Sequence, residues 1–84
     1  MALDQKQWEY CCLTGIGDLC YYPHLTFFTK EGYQGENLSG GGVNAETIRV
    51  EARITQLGED GWEMVGVVSS GKETDRLYFK RQKA

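Results

Sequence analysis

Proline and histidine are scarce in this sequence, and positive charge is in deficit. Its 84 residues hold one proline, one histidine and three cysteines. Uninterrupted apolar runs are only a few residues long. A helical membrane span needs about 20, so none is expected. Met1-Ala2-Leu3-Asp4-Gln5-Lys6 has no basic region followed by an apolar stretch. A secretory signal is therefore not expected, and the expected location is the cytoplasm of a bacterial cell, or of a host cell if the source is viral. Nine Lys and Arg against twelve Asp and Glu give a net charge of −3. Duplex nucleic acid bound without regard to sequence requires clustered cations, so this balance argues against it. A local basic group remains at Lys80, Arg81 and Lys83.

An odd cysteine count excludes a closed set of intrachain disulfides. Cys11 and Cys12 are adjacent and would point to opposite faces of a strand. They read as reduced, small apolar residues in a reducing compartment. Cys12, Cys20 and His24 have no Cys-x-x-Cys spacing and no evident fourth ligand, so neither a metal nor a cofactor is expected. A Cys–His nucleophile would need an orienting third group, and none is apparent. The chain therefore reads as non-enzymatic. The rival enzymatic reading would use His24 with Cys20 or Tyr22.

The sequence is rich in aromatics and in glycine, with 11 glycines. In Lys6–Thr14, Trp8, Tyr10 and Cys12 alternate with Glu9, Cys11 and Leu13, which predicts a strand ended by Gly15-Ile16-Gly17-Asp18. His24–Lys30 is aromatic and β-branched and predicts a second strand, with Pro23 tolerated at its start. Glu31–Asn37 is polar and broken by glycine. With Leu38 and Ser39–Gly42 it reads as a long mobile loop. In Asn44–Leu57, a stripe of Val43, Thr47, Val50, Ile54 and Leu57 has helical spacing, while Ile48, Val50, Ala52 and Ile54 also alternate as in a strand. Asn44 as a cap, Glu46 in the first turn and Gly58 as a left-handed stop favour the helix. Trp62–Ser70 and Arg76–Arg81 predict two strands joined by a turn over Gly71–Asp75.

The expected fold is α+β: a single antiparallel sheet of about four strands in the order β-β-α-β-β, with one helix packed on a face. Residues 1–84 are expected to form one domain, with an inserted hairpin and a glycine-rich loop at about 15–43. So small a core calls for self-association, and Ala45, Ile48 and Ala52 on the outer side of the helix suit a partner subunit in a dimer or tetramer.

Trp8-Glu9-Tyr10, Leu57-Gly58-Glu59-Asp60-Gly61-Trp62-Glu63-Met64-Val65 and Tyr78-Phe79-Lys80-Arg81 occur in this order. Together they resemble a family of small bacterial and phage proteins, domain of unknown function four-one-seven-seven. The resemblance covers about half the chain and departs between Gly15 and Val43. It implies an independently folding αβ module and supports the helix over Asn44–Leu57. It brings no site residues with it. The shared residues read as structural: Gly61 for the turn and Trp62 as core, with Trp8 and Tyr10 as its neighbours in the sheet.

The candidate ligand site is assembled from three features. Ser39, Gly40, Gly41 and Gly42 precede a helix start, where free N–H groups suit an anion. The P-loop lysine is missing, so a flexible connection is the plainer reading. Arg49 and Arg53 share a helix face and could grip a phosphate, or could form surface ion pairs. Tyr22, His24 and Phe28 lie in an aromatic-rich stretch that also holds Tyr21, Phe27 and Tyr33, and could stack on a base or cover the sheet. The expected function is sequestration of a small anionic ligand at a subunit interface, such as a nucleotide or cyclic-nucleotide signal. For a phage chain this would be a sponge that blunts host immune signalling. The alternative is a protein-interaction or scaffolding domain with no small ligand.

Overall fold

The computed structural model describes residues 7–16, 22–69 and 75–83. The elements are β1 (Trp8–Ile16), β2 (His24–Thr29), β3 (Gly32–Asn37), α1 (Val43–Glu59), β4 (Glu63–Ser69) and β5 (Asp75–Gln82). One sheet contains all five strands in the order β3-β2-β1-β5-β4. Every adjacent pair is antiparallel. The fold is α+β, an antiparallel sheet with one helix, as the residue pattern implies, but with five strands and not about four.

The additional strand is β3, in the stretch expected to be loop. Its sequence, GYQGEN, is exposed along nearly all its length. An edge strand of this kind is held by its backbone ladder, here from His24↔Asn37 to Thr29↔Gly32. Ladder bonds leave no apolar signature in the sequence. The glycine-rich loop is thereby shortened to Leu38–Gly42.

The end of β1 also differs from expectation. The strand runs through Gly15 to Ile16, with its register to β5 shifting between Leu13 and Ile16. Gly15 has φ +80°, and a Cβ there would lie 1.8 Å from the Tyr22 carbonyl oxygen. The Tyr22 N–H donates to the Gly15 carbonyl at 2.8 Å. Only glycine fits so close an approach. The expected break at Gly17 and Asp18, the turn over 71–74, and Cys20 and Tyr21 lie outside the described residues.

Strand alternation divides the side chains between two faces. Cys11, Leu13, Leu25 and Phe79 face the helix and form a core with Leu38, Val50, Leu57 and Trp62. Ile16, Phe27, Ile54 and Leu77 are partly buried against it. The Phe27 and Trp62 rings meet at 5.7 Å, tilted by 59°. Trp62 is core, as expected. Trp8 and Tyr10 are not its neighbours, because they share the register face of Cys12 on the far side of the sheet.

Both helix ends differ from the expected caps. The helix starts at Val43, one residue before Asn44, and Gly42 takes the capping position with no side-chain cap. At the other end, Gly58 lies inside the last turn and Gly61 has φ +91°. The Trp62 N–H donates to the Leu57 carbonyl at 2.9 Å and the Gly61 N–H to that of Gly58 at 3.1 Å. These are the two bonds of a Schellman motif, in which the left-handed glycine lies one residue beyond the cap. The accompanying apolar contact is Leu57 with Trp62, both in the core.

The two glycines should therefore respond oppositely to alanine. Gly58→Ala should stabilise the protein by about 0.5–1 kcal/mol, as for an unstrained helix-interior site. Gly61→Ala should destabilise it by about 1–3 kcal/mol, because alanine is strained at that φ. Urea-unfolding midpoints of the two variants check both signs.

Candidate functional site

The expected site residues fall on opposite sides of the sheet. On the helix side, the glycine loop and both arginines are engaged with one another or with the strands. The Gly40 N–H donates to Glu46 Oε2 at 2.7 Å. Glu46 is the one buried charged residue of the described chain. A carboxylate of the protein thus takes an N–H of the loop that was read as an anion cradle. Arg49 Nη1 donates to the carbonyls of Leu38 and Gly40. Asn37 Oδ1 accepts from the Ser39 N–H at 2.9 Å and from the Ser39 hydroxyl. Arg53 Nε pairs with Glu36 Oε2 at 2.7 Å, its Nη1 reaches Gln56, and its guanidinium stands 5.8 Å from the Phe27 ring. Ser39, Gly40, Arg49 and Arg53 therefore tie β3 and the loop to the helix. Gly41 and Gly42 are exposed beside them.

His24 and Phe28 lie on the other face, which the helix leaves open. Tyr22 is exposed just before β2. Strand register aligns Tyr33, Phe28, Tyr10 and Lys80 across four neighbouring strands. Tyr33 is 73% exposed, and Phe28 and Tyr10 are each 50% exposed. Lys80 Nζ stands 4.3 Å from the centre of the Trp8 ring, a cation–π contact on the same face. The next register line runs Gly35, Thr26, Cys12, Tyr78. A Cβ on Gly35 would lie 2.6 Å from His24 Nε2, so the imidazole leans over this glycine.

Charge is divided between the faces too. Among the described strand residues, the open face carries Lys80 and Arg76 against one carboxylate, Glu63, which faces Lys80. Glu9, Glu36 and Asp75 are in register with the helix side. Two cations less one anion leave this face at +1, on a chain whose net charge is −3. Trp8, Tyr10, Tyr78, Lys80 and Arg76 were absent from the expected site. The signal for Trp8 and Tyr10 was their alternation with Cys11 and Leu13: one helix covers one face, and these two belong to the other.

Cys11 and Cys12 are both buried and free. Burial pushes the Cys11 thiol up from 9.0 to about 12, reinforced by neighbouring Cys12 and opposed by Arg53 and Arg81. Burial also raises Cys12, opposed by a hydrogen bond from Tyr78 and the charge of Arg76. Such thiols are poor nucleophiles near neutrality. No group of three or more His, Cys, Asp or Glu side chains among the described residues is arranged to hold a metal ion. Protein-family models, curated proteins and solved structures contain no match to this chain.

Three outcomes are expected. In the native protein Cys11 and Cys12 should resist iodoacetamide at pH 8 and react after urea unfolding, as read by peptide mass spectrometry. Their folded values are raised, so the unfolded chain loses these protons first. Stability should fall as pH rises from about 9 toward 12, the span between the ordinary thiol value and that of Cys11. Separately, Glu46→Ala should cost about 1–3 kcal/mol, the range for a charged hydrogen bond with a buried acceptor. Thermal melting measures it.

Proposed function

We propose that this protein is a non-enzymatic binding module that holds a planar anionic ligand of the nucleotide class on the open face of its sheet. The observation that carries this reading is the register line of Tyr33, Phe28, Tyr10 and Lys80. A base over such rings gains about 1–3 kcal/mol. Its phosphate meets Lys80 at the end of the aromatic line, and Arg76 and His24 lie four residues farther along their strands on the same face. The face is positive on an acidic chain, so an anion is drawn to it in preference to the helix side. A group that holds but does not convert its ligand suits sequestration of a nucleotide signal, linear or cyclic. Arg53, paired with Glu36, serves this reading indirectly by fixing β3 and with it Tyr33, whereas Arg49 binds only loop carbonyls on the helix side.

Calorimetric titration with mononucleotides and cyclic dinucleotides tests the proposal. Tyr10→Ala combined with Phe28→Ala should weaken binding tenfold or more, since about 1.4 kcal/mol is one decade. Arg49→Ala should leave affinity within about twofold, because the side chain lies across the sheet from the ligand and a contact of under ~0.5 kcal/mol is all it could lose. Binding abolished by Arg49→Ala but kept by the ring variants would overturn the proposal. So would an absence of binding to every nucleotide, which would favour the protein-interaction alternative.

A further inference from the structure

The two edges of the sheet are unlike. On β3, Gln34, Glu36 and Asn37 accompany two glycines in the paired segment, and Tyr33 is its one exposed apolar side chain. On β4, the segment Met64–Ser69 carries no charge and no proline. Met64, Val65, Val67 and Val68 are all exposed, Val67 to 60%. β4 pairs with β5 alone among the described strands, so the backbone along its outer side has no ladder partner. Natural sheets blunt such edges with lysine, proline or inward-facing charge, and Met64–Ser69 has none of these. The register shift between Met64 and Gly66 interrupts only the start of the strand. Gly66 to Ser69 continue as a regular ladder with Tyr78 to Asp75.

Register also gives β4 apolar groups on both faces. Met64 and Val67 pair with Phe79 and Leu77, on the helix side, yet stay exposed. The helix therefore does not reach this end of the sheet. Val68 pairs with Arg76 on the open face.

We infer that β4 pairs with β4 of a second copy, antiparallel about a two-fold axis near Val67, to make one continuous sheet of two subunits. Three observations select a second copy as the occupant. The segment is neutral, so opposing it to itself sets no like charges against each other, whereas a foreign strand would be chosen by complementary charges that β4 does not offer. Two-fold pairing brings Val67 of each copy to the seam on the helix side and Val68 of each to the seam on the open face. Val67 thus meets Val67 on the helix side, and on the open face each Val68 lies over the facing Gly66. Finally, β4 pairing with β4 is isologous and closes as a dimer, whereas β4 pairing with β3 would propagate as a filament. This surface differs from the outer helix stripe of Ala45, Ile48 and Ala52, on which the sequence expectation of self-association rested.

Sedimentation velocity on the full chain from micromolar to millimolar concentration provides the test. The expected result is a monomer–dimer equilibrium. Val67→Lys should raise the dimer dissociation constant at least tenfold, about 1.4 kcal/mol. Ile48→Lys, at a helix position 68% exposed, should leave it unchanged. Both positions are exposed, and circular dichroism verifies that each variant is folded. In a Cys20→Ser background, Val67→Cys should form a disulfide-linked dimer under mild oxidation. A monomer at every concentration overturns the inference. So does a dimer weakened by Ile48→Lys and not by Val67→Lys, a dimer that neither variant weakens, or a growing polymer.

Discussion

One helix cannot cover five strands, and the rest of this structure follows from that constraint. A helix is about 10 Å across, while five strands spaced about 4.8 Å apart span roughly 19 Å between their outermost backbones. The helix α1 spends its buried stripe of Val50, Ile54 and Leu57 on Cys11, Leu13, Leu25, Phe27 and Phe79. Nothing in the described chain covers the opposite face or the β4 end. The sheet is thus divided into a dry side, an aromatic and basic open side, and an apolar edge.

The division depends on the helix being fixed at both ends. At its start Glu46 holds Gly40 and Arg49 holds Leu38 and Gly40, which draws the loop and β3 inward. At its end the Leu57–Trp62 contact closes the Schellman turn. Arg81 seals that turn from outside. Its guanidinium stands 4.5 Å from the Trp62 ring, its Nε pairs with Glu9 at 2.9 Å, and its Nη1 reaches the Asp60 carbonyl. One side chain thereby joins β1, β5 and the helix terminus. The ion pairs are partly exposed and contribute modestly by charge alone. Their larger effect is to fix the direction in which the helix crosses the sheet.

Much of this was legible in the residue pattern. Alternation in Trp8–Leu13 separated the two faces of β1, though Trp8 and Tyr10 lie opposite Trp62 and not beside it. Of the stripe Val43, Thr47, Val50, Ile54 and Leu57, the part from Val50 to Leu57 marks the buried side of the helix, while Val43 is exposed. Trp62 was legible as core because a large aromatic immediately after a glycine turn has few other places to go. The edge strand β3 was hidden, since its pairing is made by backbone and its side chains are polar. Gly58 was mistaken for the stop because two glycines stand three residues apart and local chemistry suits either; only the 6→1 bond from Trp62 to Leu57 selects Gly61. The expected site residues divide between the two faces. His24 and Phe28 share the open face with the aromatic row. For the arginines the sequence left ion pairing open without naming the partners, Glu36 for Arg53 and the Leu38 and Gly40 carbonyls for Arg49, and it did not show that Glu46 would take the Gly40 N–H.

The proposed function rests on the open face. Rings at neighbouring register positions make a shelf, and Lys80 and Arg76 give it positive charge. The most direct measurement of this account is the ¹H–¹⁵N NMR spectrum of the protein titrated with a nucleotide. The account predicts shifts concentrated at Tyr10, Thr26, Phe28, Tyr33 and Lys80. Shifts confined to Ser39–Gly42 and the first turn of the helix would contradict it.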